Sequence, residues 1–493
     1  MVSVSHGASR KVLVIGLDCV PPELVFSRPA DELPNLHRLM SSGAWGEFES
    51  CTPPITVPAW TVMTSSHDPG QLGIYGFRNR SDYTYDRMYT VTNQAVHVDR
   101  VWDILSRAGK QVIVVGVPPS YPPRPVNGAM VGCFLTPSVD RPYTYPVSLG
   151  GEISGVVGKY LVDVPDFRTE NKDYLLKQIY EMTEKRFKLV DHLLTTKPWD
   201  FFMFVEMGTD RIHHGFWRFT DPAHNKYVPG NPYENVITEY YKFVDQQIGK
   251  ILEHVGDDTV VFVVSDHGAK RMDGGICLNE WLIQRGYLTL KEYPSRQTPI
   301  EKCEVDWSKT VAWGAGGYYG RLMLNVAGRE PQGIVPADAY EQVRDELIAE
   351  ITKIAGPDGQ DIGTQVFKPQ DIYREVRGIP PDLIIHFGGL YWRSVGTIGK
   401  GEVYTFDNDT GPDDANHAEH GIFIVNDPRQ YLGGQHLSGV QLMDFAPTVL
   451  DCFGINAPPE MLGRVVGAAE TNVYSEADEE IVTDRLRALG YVE

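Results

Sequence analysis

The run Thr259-Val-Val-Phe-Val-Val-Ser-Asp-His-Gly268 decides how this chain is read. Its apolar part is β-branched and aromatic with no polar alternation, the pattern of a strand buried on both faces of a parallel sheet. It ends abruptly on a carboxylate, an imidazole and a glycine. Ligands of open parallel sheets bind at the carboxyl ends of the strands, and Asp266 and His267 are adjacent groups that are hard to bury unless they share a cation. Taken alone, Asp-His-Gly also reads as a turn, with a capping carboxylate, a packed histidine and a glycine that admits positive φ. Other polar clusters along the chain decide between the two.

The 493 residues are enough for a large core, and they carry 45 basic against 65 acidic side chains for a net charge of -20. Such a field repels nucleic-acid backbones and anionic membranes, yet leaves room for a local basic pocket. The expected partner is therefore a small phosphorylated or nucleotide-like substrate, with no nucleic-acid polymer and no membrane; nothing in the chain reports oligomeric state. Met1 to Arg10 is short and polar, unlike an export segment. Cys19, Cys51, Cys133, Cys277, Cys303 and Cys452 are scattered without a Cys-x-x-Cys pair. Reduced thiols in a cytoplasmic protein are the expectation.

Working outward, Lys11-Val-Leu-Val-Ile-Gly-Leu-Asp18 is a second buried run that closes on an acid. Leu33 to Met40 has helical spacing, Val101 to Ala108 reads as a helix, and Gln111 to Val117 as a strand. That alternation predicts right-handed parallel crossovers. The pattern resumes with the strand Asp200 to Val205, the helix Tyr233 to Val255 and the opening run, and further strands are expected at Asp382 to Phe387 and Gly421 to Val425. The fold class is α/β, a mostly parallel central sheet with helices on both faces and inserted cap segments. Residues 1–135, 197–287 and 383–493 are assigned to the core. Residues 136–196, with a helix from Asn171 to Leu194, form a first cap, and 288–382 a second irregular α+β insertion. Within the latter, Gly314-Ala-Gly-Gly-Tyr-Tyr-Gly320 lacks a phosphate-loop lysine and is read as a turn. A charged helix is expected over residues 476–489.

Two more polar clusters follow strand-like runs. In Gly208-Thr-Asp-Arg-Ile-His-His-Gly-Phe-Trp217, Asp210 and His214 share a face if the segment is helical. At most one of His213 and His214 faces a site, and spacing favours His214. In Asn416-His-Ala-Glu-His-Gly421, spacing does not separate His417 from His420. Parallel strands would bring Asp18, Asp210, Asp266 and these histidines to one sheet edge, a donor set sufficient for two metals. In Cys51-Thr-Pro-Pro-Ile-Thr-Val-Pro-Ala-Trp60, prolines on both sides of Thr56 restrict the backbone and can hold its hydroxyl outward. A nearby divalent cation would make that weak nucleophile competent for attack at phosphorus.

These pieces, with Gly73-Ile-Tyr-Gly-Phe77, Asp444-Phe-Ala-Pro-Thr-Val-Leu450 and Arg485-Leu-Arg-Ala-Leu-Gly-Tyr491, resemble the alkaline phosphatase superfamily. The resemblance is to its type I phosphodiesterase and nucleotide pyrophosphatase branch, within the prokaryotic group of predicted phosphohydrolases or phosphomutases. It implies an alkaline-phosphatase-like sheet and two divalent metal ions, zinc in most members and manganese or iron in some. It implies that Asp210, His214 and His417 hold one metal, and that Asp18, Asp266, His267 and the nucleophile Thr56 hold the other. Ile55 stands where related sulfatases carry arginine, and the nucleophile is threonine where cofactor-independent phosphoglycerate mutases use serine. Many relatives have glycine where this chain has Cys19.

The expected reaction is hydrolysis of a phosphodiester or pyrophosphate through a phosphothreonine at Thr56. A phosphomonoesterase or phosphomutase, and a silent carbohydrate- or nucleotide-binding protein, are the alternatives. Asn79 is the first choice for a phosphoryl contact, with Arg78, Arg80, Lys270 and Arg271 beside it. Tyr121, Tyr143, Tyr145, Phe216 and Trp217 are candidates for a recognition wall.

Overall fold

The apolar runs assemble into one twisted sheet, seen in a computed structural model that describes residues 10–467 together with 485 and 487. Its strands are β1 (Lys11–Leu17), β2 (Ala44–Glu49), β3 (Val112–Val115), β4 (Gly128–Val131), β5 (Phe201–Glu206), β6 (Thr259–Val264) and, beyond a separate antiparallel pair made of β7 (Gly268–Arg271) and β8 (Ala415–Ala418), β9 (His420–Asn426). The spatial order is β2-β9-β6-β1-β5-β3-β4, extended at both margins by two-residue strands. From β6 to β4 every pairing is parallel, and β9 inserts antiparallel between β6 and β2.

Register decides where the polar residues meet. Leu17 pairs with Glu206, and Gly16 with Val264, so β1, β5 and β6 end level with one another. Asp18, the segment after Glu206 and the Ser265-Asp266-His267 run therefore leave the sheet at a common edge. Because β9 runs the other way, its first residues lie at that same edge, and β8 pairs with β7 so that His417 faces Ala269. These pairings bring His417 beside His267 although residues 268–416 separate them in sequence.

Helix α1 (Thr56–Ser65) begins at the edge, entirely buried. Gly16 makes room for it: a Cβ at that position would lie 2.7 Å from Cη2 of Trp60. On the other face, α2 (Lys172–Thr196), α3 (Gly208–Thr220) and α4 (Val236–Leu252) pack together. Leu175, Ile179, Met182, Phe187 and Val190 of α2 belong to the main hydrophobic cluster. The segment 136–196, expected as a cap, thus contributes a core layer, because the apolar stripe of α2 turns toward the sheet and its neighbours α3 and α4.

A second hydrophobic cluster surrounds a four-stranded antiparallel sheet ordered Ala312–Ala315, Gly320–Leu324, Leu383–His386, Gln365–Phe367. The expected boundaries at 287/288 and 382/383 do not coincide with it. Ile276, Leu278 and Leu282 on one side, and Leu383, Ile385, Phe387, Trp392 and Ile398 on the other, pack into this smaller core. Leu383–His386 is a strand as expected, but it belongs to the smaller sheet. The expected helix over 476–489 lies, apart from 485 and 487, outside the described residues.

Candidate active site

Asp18, Asp266 and His267 are fully buried, and their ligand atoms lie within 4.8 Å of one another. Asp210, His214 and His417 gather in the same way with Cys19. The first cluster comes from the ends of β1 and β6, the second from α3 and β8. His267 and His417 join the two through stacked rings, 4.0 Å between centroids and 18° between planes.

Neighbours aim each donor. Trp60 Nε1 donates to Asp18 Oδ2 at 2.7 Å, and the Cys19 backbone N–H donates to Asp266 Oδ1 at 3.3 Å. That leaves Asp18 Oδ1 and Asp266 Oδ2 buried without a hydrogen-bond partner. His267 Nδ1 sits 3.1 Å from the Gly268 carbonyl and His417 Nδ1 2.9 Å from that of Pro54, which turns Nε2 of each ring inward. His214 Nδ1 meets Asp413 Oδ1 at 2.7 Å, and its buried Nε2 has no hydrogen-bond partner. Asp210 lies one helical turn before it, with Oδ1 3.2 Å from His214 Nε2. The other oxygen of Asp210 contacts Arg211, which is held in turn by both oxygens of Asp163.

Burial and crowding of like charges make this arrangement costly without a cation. Burial, then the charge of Asp210, pushes the Asp18 carboxyl well up; burial, then Asp18, does the same to Asp266. Burial lowers His267 to about 4. Burial acts against protonation of His214 too, but Asp413 and Asp210 prevail and raise it to about 9. Buried carboxyl and imidazole groups with unpartnered donor atoms converging suit divalent cations; mixed O and N donors fit zinc or a similar borderline ion better than an all-oxygen calcium cage.

Thr56 opens α1 beside both clusters, 3% exposed, with Oγ1 3.2 Å from His267 Nε2. First-turn N–H groups of a helix lack intrahelical partners, so its N-terminus favours an anion at this point. A cavity of about 480 Å³ adjoins the site through Ile55 and Tyr318 and is lined also by Phe77, Arg78, Arg321 and Arg393.

The remaining expected residues divide. His213 belongs to neither cluster and has its Nε2 3.0 Å from the Tyr241 hydroxyl, and His420 is exposed. Arg78 lines the cavity. Asn79 is spent on its own turn, accepting from the Tyr75 N–H and donating to the Gly76 carbonyl. Arg80 pairs with Glu330, Lys270 with Glu419 and the Gly389 carbonyl, and Arg271 with Asp273. In each of these four cases a nearer partner takes the side chain. The expected aromatic wall is also elsewhere: Phe216 is in the core, Tyr143 stacks on Tyr160, and Trp217 bonds to Asp221. Phe77, Tyr318 and Tyr319 line the cavity instead, with Tyr318 stacked on His417 at 4.3 Å.

Asp413, Arg168, Arg211 and Tyr318 are additions that sequence reasoning missed. Asp413 is a hub, accepting from Arg168 at 2.7 Å and the Tyr318 hydroxyl at 3.0 Å while orienting His214. Its only sequence signal was a carboxylate four residues before His417. We expect Asp413→Asn to weaken metal binding about 10- to 100-fold. In the metal-free protein the His214 proton must leave before a cation can enter, so affinity should rise with pH until about 9 in the wild type. Loss of the Asp413 charge should move that limit to lower pH. Calorimetric titration across pH measures both effects, and an unchanged pH profile would remove Asp413 from this role.

Residues 12–421 match the family model described as type I phosphodiesterase/nucleotide pyrophosphatase. No curated protein matches the chain in sequence. Among solved structures, murine ectonucleotide pyrophosphatase/phosphodiesterase 5, an inactive form in complex with AMP, is similar at 13% identity and TM-score 0.51, covering 91% of this chain and 96% of its own. Phosphonoacetate hydrolase from Sinorhizobium meliloti 1021, in complex with phosphonoacetate, is similar at 15% identity and TM-score 0.57, covering 89% of this chain and 95% of its own. Both likenesses are of fold. Together with a family match across most of its length, they place the chain in the alkaline phosphatase superfamily: it belongs to the type I phosphodiesterase/nucleotide pyrophosphatase family and is a metal-dependent phosphohydrolase.

Proposed function

We propose that the chain hydrolyses phosphodiester or pyrophosphate bonds through a phosphothreonine at Thr56. The observation that carries this reading is the buried Thr56 hydroxyl at a helix N-terminus, 3.2 Å from His267 Nε2 and beside two clusters of converging donors. Asp210, His214 and His417 would hold one divalent cation, and Asp18, Asp266 and His267 with Thr56 the other; zinc suits these donors, with manganese or iron as alternatives. Bound there, the cations supply Lewis-acid neutralisation of charge on the entering and leaving oxygens.

Thr56 Oγ forms a bond to phosphorus as the bond to the leaving oxygen breaks; its hydroxyl proton passes to solvent, and the departing oxygen takes one up from solvent. Water then displaces Oγ and restores the threonine. The N-terminus of α1 faces the negative phosphoryl group through both steps. Trp60 and the Cys19 N–H keep Asp18 and Asp266 from turning away.

The cavity supports a small nucleotide-like substrate. Phe77 and Tyr318 offer apolar walls to a ring; Arg78 lines the same cavity, and Arg321, which donates to the Arg78 and Gly316 carbonyls, forms no ion pair among the described residues. Those two cations suit a charged leaving group. A monoester demands more positive charge at the phosphorus itself, but Arg80, Lys270 and Arg271 are engaged elsewhere. No described helix is long and apolar enough to cross a membrane. A cytoplasmic location is part of the proposal and rests on the unpaired cysteines.

The test is turnover of an aryl phosphate diester against the matching monoester, with zinc or manganese supplied. The diester should be preferred. Strong preference for the monoester would overturn the assignment.

A further inference from the structure

Cys19 occupies a position that the reaction above does not use. It follows Asp18 directly and is fully buried, yet its backbone has φ of 66°, in the left-handed region where a side chain is strained. A buried cysteine ordinarily behaves as a small apolar group. The Sγ of this one lies in a cluster with the ligand atoms of Asp210, His214 and His417, all within 4.8 Å of one another. Its contact outside that cluster is polar too, the Gly268 carbonyl at 3.4 Å. A second, independent feature points to a ligand at the same place. His214 Nε2, on a side chain 1% exposed, has no hydrogen-bond partner, and the atom 3.2 Å from it is Oδ1 of Asp210, a donor of the same cluster.

We propose that Cys19 Sγ is a fourth protein ligand to the cation held by Asp210, His214 and His417, making a one-sulfur, two-nitrogen, one-oxygen site that selects zinc over manganese. Four protein donors match the tetrahedral preference of zinc, and a thiolate is a poor partner for manganese. Binding replaces the S–H bond by a metal–sulfur bond, and the proton passes to solvent. Cys19 then serves both clusters, since its N–H donates to Asp266 while its sulfur reaches the other cation. This proposal rests on the two-cation reading above.

Zinc-edge X-ray absorption on the full-length protein, after metal content is measured, tests it directly. One sulfur for every two zinc ions, an average of about half a sulfur scatterer per zinc, is expected at about 2.3 Å. The cobalt-substituted protein should show thiolate-to-cobalt charge-transfer absorption. Cys19→Ser and Cys19→Gly should each abolish that absorption, and Cys19→Gly should reduce discrimination of zinc over manganese by at least about tenfold. Two bound metals without a sulfur shell would overturn this proposal and leave the two-cation reading intact. Failure of the protein to bind metal would overturn both. Charge-transfer absorption that survives in Cys19→Ser would assign the sulfur to another cysteine, which also overturns it. The wild-type absorption measurement decides the question even if a variant does not fold.

Discussion

Thr56→Ala is expected to lower turnover on the order of 10⁴-fold or more while leaving the fold and the Asp18, Asp266 and His267 donors in place. The hydroxyl sits at the first position of α1, where alanine is compatible with the helix, and the surrounding residues of that helix are buried irrespective of it. What disappears is the oxygen 3.2 Å from His267 Nε2. No other described hydroxyl takes part in that contact. Acid quenching during turnover should yield a phosphorylated peptide containing Thr56 from the wild type and none from the variant. Thr56→Ser should restore part of the activity, since it returns the hydroxyl without the methyl group. Retention of turnover within about tenfold in the alanine variant would end the nucleophile assignment.

The residues of this centre were legible to very different degrees, for physical reasons. Asp18 and Asp266 could be found because each terminates an unbroken apolar run, and parallel strands of similar length end at a common edge. Asp210 and His214 could be paired because helical spacing puts them on one face. Choosing His417 over His420 is a different matter. That choice depends on β7 pairing with β8, a long-range register that local spacing does not encode. Asp413, Tyr318 and Arg168 meet only through long-range contacts, and the position of Asp413 four residues before His417 was the one local sign of them. Conversely, Arg80 and Lys270 stood near the right segments but have partners supplied by distant parts of the chain, and Arg271 is taken by Asp273 two residues on. The run Leu383–His386 shows the same limit in the fold: a short apolar stretch announces a strand without saying which sheet will take it.

Asp266→Asn is expected to act in opposite directions on the metal-free and metal-loaded proteins. In the metal-free protein, burial and the neighbouring Asp18 raise the Asp266 carboxyl, and burial with Asp210 raises Asp18. A carboxyl whose folded pKa exceeds its unfolded value binds more protons folded than unfolded, so stability falls as pH rises through that interval. At neutral pH, Asp266 therefore opposes folding of the metal-free chain. Asparagine removes the charge, its carbonyl still accepts from the Cys19 N–H, and its amide faces the cluster that includes Asp18 and His267. The melting temperature without metal should rise and depend less on pH. With zinc the order should reverse, because the variant lacks an anionic donor to the cation at Thr56. Metal affinity should fall on the order of 100-fold, the thermal gain on adding zinc should shrink, and turnover should fall with occupancy. Thermal unfolding with and without zinc, alongside metal analysis, separates the effects. A variant that keeps two metals and wild-type turnover would remove Asp266 from the centre, whereas loss of stability in both states would mark it as a structural carboxylate whose hydrogen bond, not its charge, matters.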